Sequence, residues 1–90
     1  MPGPFSVKMT IVSVRDRCPN GHKVGEEHVV RRKSPGGICL GSLSAVLPYL
    51  TALRYGASFP WEDEEGVITI GCPDHENCVV WRLERLDEEA

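Results

Sequence analysis

Ser42-Leu43-Ser44-Ala45-Val46-Leu47-Pro48-Tyr49-Leu50-Thr51-Ala52-Leu53-Arg54-Tyr55 is the stretch on which the fold turns. Leu43, Val46, Leu47, Leu50 and Leu53 recur at spacings of three and four, which stacks them on one side of a helix. The spacing predicts a helix from about Ser42 to Tyr55, ended by Gly56, since glycine takes the left-handed conformation that closes a helix. Ser42 or Ser44 can cap its start. Pro48 bears on that choice. A proline is best tolerated in the first turn, so a cap at Ser44 after a loose turn is expected.

Strand patterns flank this helix on both sides. Residues 6–15 read as a strand, because Val7, Met9 and Ile11 alternate with Lys8 and Thr10. Val12 and Val14 fall on the other face, which predicts cover on both sides near the strand's end. Turn residues fill Cys18 to Gly25, and a short strand over 27–33 centres on Val29 and Val30. Ser34-Pro35-Gly36-Gly37 breaks it. Beyond the helix, Glu62-Asp63-Glu64-Glu65 reads as a solvated acidic loop, without the alternating carboxylates of a hard-cation site. Residues 67–71 and 79–85 form a hairpin around the segment from Cys72 to Cys78. Ile68 and Ile70 share one face of it, and Val79, Trp81 and Leu83 share another. Asp87-Glu88-Glu89-Ala90 is expected to fray into solvent.

The order strand, strand, helix, strand, strand predicts one α+β domain over residues 1–90. A mostly antiparallel four-stranded sheet with the helix on one face is the simplest packing. A partly open barrel plugged by the helix is the variant. A chain of 90 residues buries only a modest core, so a metal or an oligomer contact would help it.

Composition narrows the function classes. Hydrophobic residues at 41% and charged residues at 26% suit a soluble domain. A net charge of −3 disfavours nucleic acid, since Arg31-Arg32-Lys33 is the only basic run. No apolar run reaches the ~18 residues of a membrane helix. Met1-Pro2-Gly3-Pro4-Phe5 lacks the charged and apolar regions of a secretory leader. The chain therefore reads as cytosolic, where thiols stay reduced and cysteines more often serve metal or thiol chemistry than disulfides.

All four cysteines sit at breaks in the pattern. Cys18 opens Cys18-Pro19-Asn20-Gly21-His22, Cys39 lies in Gly36-Gly37-Ile38-Cys39-Leu40-Gly41, and Cys72 and Cys78 bracket Cys72-Pro73-Asp74-His75-Glu76-Asn77-Cys78. Thiolates are soft, anionic zinc ligands, and four complete a tetrahedron. The expected tetrad is Cys18, Cys39, Cys72 and Cys78, with His22 or His75 able to replace one. Parallel strands ending at Cys18 and Cys72 would bring both to one edge. A structural zinc in a domain of otherwise open role is the leading reading.

Cys39 carries a second reading, as the nucleophile of a thiol-based enzyme or sulfur-handling protein. It precedes a helix whose dipole favours a thiolate, and His22 or His75 can supply a base. The third reading is an interaction module with inert, separately buried cysteines. The glycines near Cys39 do not match a phosphate loop, because no Lys-Ser/Thr follows. His28 is expected as a partly exposed strand residue, and Trp61 and Trp81 as core residues more than pocket walls.

Several of these residues together resemble a family of small uncharacterised prokaryotic proteins of about this length. The resemblance rests on Cys18, Gly21 and Gly25, on Pro35-Gly36-x-x-Cys39, on Pro48 with Ala52-Leu53-Arg54-x-Gly56, and on Cys72-Pro73-Asp74. It implies a focus on three cysteines, Cys18, Cys39 and Cys72, and leaves Cys78 outside the pattern. It implies no activity and no partner. A homo-oligomer is compatible with everything above.

Overall fold

A computed structural model describes residues 4–89, with side chains through Asp87. Four strands, β1 (Phe5–Val14), β2 (Glu27–Val30), β3 (Val67–Gly71) and β4 (Val79–Glu89), form one sheet, and α1 (Leu40–Arg54) connects β2 to β3. The strand order is β2-β1-β4-β3 and every pairing is antiparallel. The sheet stays open, with β2 and β3 as its edges, so the α+β sheet forms and the barrel variant does not. Among the described residues no helix is long and apolar enough to cross a membrane.

The core lies between α1 and one face of the sheet. Val7, Met9, Ile11, Ile68, Val79, Trp81 and Leu83 point into it from the strands, and Val46, Leu50 and Leu53 from the helix. The opposite face is polar. There Lys8 sits across from Glu84, and Arg82 pairs with Glu84 and Glu64.

A register shift between Ile11 and Ser13 resets the phase of β1. Val12 is the extra residue and is exposed, not covered as the alternation suggested. A bulge of this kind turns the following residues over, so Val14 pairs with the buried Val79 and packs on the core. β2 stops at Val30, three residues short of the expected end. β4 runs on to Glu89, where it meets Phe5, so residues 87–89 are strand and not a frayed tail.

The helix starts earlier than Pro48 suggested. Its N-cap is Cys39, not Ser44, and Pro48 lies well inside it. Proline removes the amide that would bond the Ser44 carbonyl. Both residues face solvent, where water can satisfy that carbonyl. The buried stripe is also rotated. Ser42, Val46, Leu50 and Leu53 are buried, whereas Leu43 is half-buried and Leu47 is 48% exposed. This rotation places Ser42 where its hydroxyl oxygen accepts the Trp81 indole N–H inside the core. The C-terminus closes as predicted at Gly56, φ +94°, with Gly56 N–H bonded to Leu53 and Ala57 N–H to Ala52. Arg85 from β4 donates to the carbonyls of Leu53 and Ala57 and ties this end to the sheet.

Candidate functional site

β1 and β3 both run antiparallel to β4, so they point the same way and end at the same edge. Cys18 follows β1, and Cys72 follows β3. The first turn of α1 reaches that edge as well, since Gly41 lies against Pro73. Cys18, Cys39 and Cys72 consequently line one cavity of about 110 Å³, with Ser42, Asp74 and Asn77 among its other walls. All four cysteines are free thiols.

Cys78 does not join them. Its thiol donates to the Cys72 carbonyl at 3.5 Å and lies over Gly71, where an added Cβ would come within 2.8 Å of the sulfur. Burial and the nearby Cys72 sulfur push the Cys78 thiol up. His75 is on the outside, its side chain 89% exposed. The expected tetrad is therefore represented in the cavity by three of its thiols. Among the described residues no group of three or more His, Cys, Asp or Glu side chains is placed to hold a metal ion.

The 72–78 loop is held by its own polar residues. The Asp74 carboxylate accepts the amides of Glu76 and Asn77, the local bond pattern these side chains favour in turns. Arg15 donates to the His75 carbonyl at 2.7 Å and fixes the loop to the end of β1.

Cys39 is the most elaborately supported thiol. As the N-cap of α1 its sulfur accepts the Ser42 amide at 3.4 Å. The first turn carries no acidic side chain, so a Cys39 thiolate would be the anion that answers the helix dipole. Ser42 Oγ in turn accepts the Trp81 indole N–H at 2.9 Å. That bond leaves the Ser42 hydroxyl proton free for the Cys39 sulfur.

His22 approaches Cys39 from the β1–β2 connection. This connection is anchored by two backbone bonds across Ile11, from Ile11 N–H to Glu26 and from Gly25 N–H to Ile11. Gly25, at φ +94°, supplies the left-handed turn between them. His22 is buried, and its Nε2 accepts the Cys39 amide at 3.2 Å. An amide N–H can only donate, so the neutral ring carries its proton on Nδ1. Nδ1 faces the Glu26 carboxylate at 2.9 Å. Glu26 also accepts from His28 Nε2 at 2.7 Å. The indole of Trp81 lies edge-on to His22, with centroids 5.6 Å apart, and 5.9 Å from His28.

The electrostatics run in one direction. Burial alone would raise the Cys39 thiol, but the Ser42 hydrogen bonds and the His22 imidazole outweigh it and hold it below the usual thiol range. Burial alone would lower His22, but the Glu26 carboxylate and the Cys39 side chain, by hydrogen bonding and by negative charge, outweigh it and raise it. Burial alone would raise Glu26, but His28 and His22 bring its carboxyl below the usual range. A lowered thiol beside a raised imidazole is the electrostatic setting of a thiolate–imidazolium pair.

Cys39 and His22 were both legible as candidates. Glu26, Ser42 and Trp81 were not. Two signals pointed toward them: the His22-x3-Glu26 spacing in a glycine-bounded turn, and the need of any buried tryptophan N–H for an acceptor. Trp61, expected in the core, is instead 64% exposed and packs on Phe59 at its edge. His28 is partly exposed as expected, though engaged with Glu26. No protein-family model, curated protein or solved structure matches the chain.

Proposed function

We propose that this protein acts through Cys39 as a nucleophilic thiol, in a thiol-based enzyme or sulfur-handling protein of a reducing, cytoplasmic compartment. In this reading His22 Nε2 gives up the Cys39 amide to take the thiol proton, Glu26 holds the Nδ1 proton and stabilises the imidazolium, and the α1 N-terminus with Ser42 stabilises the thiolate. The observation that carries it is the chain of contacts from Glu26 through His22 to Cys39 at the N-cap of α1. The three cavity thiols are also the three that the resembling family pattern contains, and Cys78 stands outside both. A structural zinc held by Cys18, Cys39 and Cys72 draws on the same convergence, but lacks an assembled ligand group among the described residues.

Timed alkylation with peptide mapping tests the proposal. Cys39 should be the fastest of the four thiols at neutral pH, with a rate midpoint below the ~8.5 of a free cysteine. His22→Gln should move that midpoint upward without unfolding the protein. A Cys39 that reacts more slowly than Cys78, or a midpoint indifferent to His22→Gln, would refute the assignment. Thiols that become reactive together only after a strong chelator is added would favour zinc instead.

A further inference from the structure

One cavity holding a supported nucleophile and two more thiols has a use beyond a single nucleophilic step. We propose that Cys39 and Cys72 work as a pair that exchanges electrons with small-molecule disulfides, Cys39 attacking and Cys72 resolving. The proposal rests on the nucleophile assignment above and adds the substrate class and the second thiol.

The placement favours Cys72 as the partner. Its sulfur is fixed at the cavity wall by the Val79 amide, which donates to it at 3.2 Å. The next residue, Pro73, packs on Gly41, two residues beyond Cys39 in the first turn of α1. Cys72 therefore stands over the same turn that carries the nucleophile. Cys18 belongs instead to the hydrophobic core cluster, only 9% exposed, and its carbonyl is tied into the turn to Gly21. Cys78 is outside the cavity, and its thiol is raised.

Access fits a small substrate. The cavity of about 110 Å³ has room for a CH₂–S–S–CH₂ unit and little more. It adjoins a wider groove of about 520 Å³ through the shared Cys18 and Pro19. That groove also exposes Arg17 and Lys23, and the rest of a substrate chain can lie there.

The chemistry balances as two thiol–disulfide exchanges. The Cys39 thiolate attacks one sulfur of R–S–S–R. A Cys39–S–S–R bond forms, and R–S⁻ leaves and takes the proton that Cys39 had given to His22. The Cys72 sulfur then attacks Sγ of Cys39. The Cys39–Cys72 disulfide forms, and the second R–S⁻ leaves with the proton from Cys72. Two protein thiols lose two electrons and R–S–S–R becomes two R–SH. A free thiol in excess reverses both steps and restores the dithiol.

The test uses the reduced 90-residue protein and one equivalent of bis(2-hydroxyethyl) disulfide, read by intact mass and non-reducing peptide mapping. The wild type should lose two hydrogen atoms, keep no adduct, and show the Cys39 and Cys72 peptides joined. Cys72→Ser and Cys72→Ala should each stall with one hydroxyethylthio adduct on Cys39. Circular dichroism confirms that these variants are folded, and the alanine variant serves if the serine variant is not. Cys78→Ser should behave as wild type. A stable adduct on wild-type Cys39, or Cys39 joined to Cys18, overturns the pair while leaving the nucleophile reading intact. Absence of any reaction at Cys39 overturns both.

Discussion

The bond between Trp81 and Ser42 is the place where core and site are one object, and it can be tested as such. Both side chains are fully buried, and the indole N–H meets Ser42 Oγ at 2.9 Å. Ser42→Ala removes the acceptor and leaves a buried N–H without a partner, which costs about 1–3 kcal/mol. Trp81→Phe removes the donor and leaves a void as well, adding roughly 24 cal/mol per Å³ left unfilled. When both are changed, neither orphan remains. Ser42→Ala made in the Trp81→Phe background should therefore cost less than about 0.5 kcal/mol, and the coupling between the two positions should be about 1–3 kcal/mol. Urea denaturation of the four proteins measures this, provided the slope of the transition is common to all. The same set carries a second readout. Ser42 is first among the hydrogen-bonding groups that lower the Cys39 thiol, so Ser42→Ala should raise the alkylation midpoint of Cys39. Equal costs for Ser42→Ala in the two backgrounds would show that the bond is not made in solution.

Two further outcomes follow from burial and from charge. Leu50→Ala should cost about 2–5 kcal/mol, because it opens the core, while Leu47→Ala, at a 48% exposed site, should cost well under 1 kcal/mol in the same urea assay. Stability should also depend on pH through Glu26 and His22. The folded Glu26 carboxyl lies below its ordinary value of 4.5, so its contribution is complete above that pH and is lost as pH falls through the folded value. The folded His22 imidazole lies above 6.5, so its contribution is present below that pH and is lost as pH rises through the folded value. Glu26→Gln should flatten the acid limb of a stability–pH curve and return His22 toward its ordinary range by NMR titration. An acid limb unchanged in Glu26→Gln would remove Glu26 from the network.

The fold was legible wherever local periodicity and the tertiary structure agree. The alternation of Val7, Met9 and Ile11 placed one sheet face, and Gly56 marked the helix end, because each signal is local and nothing distant opposes it. The failures share a cause. Leu43 and Leu47 fit the helical stripe as well as Val46 and Leu50, and the partner that accommodates a buried Ser42 is the Trp81 N–H, 39 residues away in the chain. Pro48 argued for a late start by its intrinsic cost of about 3 kcal/mol. Capping by Cys39, packing of the buried stripe and the Arg85 bonds at the far end outweigh that local preference. Val12 misled for the same reason, since a bulge belongs to a pair of strands and not to one.

The site shows the same division between what is local and what is not. That Cys18, Cys39 and Cys72 were chemically special could be seen from their positions at breaks in the chain. Their meeting depends on one topological fact, that β1 and β3 both run antiparallel to the β4 strand between them, so both point their C-terminal ends to the edge where α1 begins. Cys78 shares the hairpin loop with Cys72 yet is excluded by strand phase. Cys72 pairs with Val79 on the core side, its amide donating to the Val79 carbonyl, whereas Cys78 comes one residue before that position and lies over Gly71. One residue of register therefore separates a cavity thiol from a thiol outside it. The polarity of the site has a similar origin. Glu26 lies in a turn pinned to β1, and the residues that make Cys39 unlike the other three thiols come from the β1–β2 connection, from α1 and from β4. A nucleophile whose support arrives from three separate elements is sensitive to the docking of each. Loosening α1 on the sheet should therefore disarm Cys39 before it unfolds the domain, and partial urea should abolish the His22-dependent reactivity ahead of the main transition.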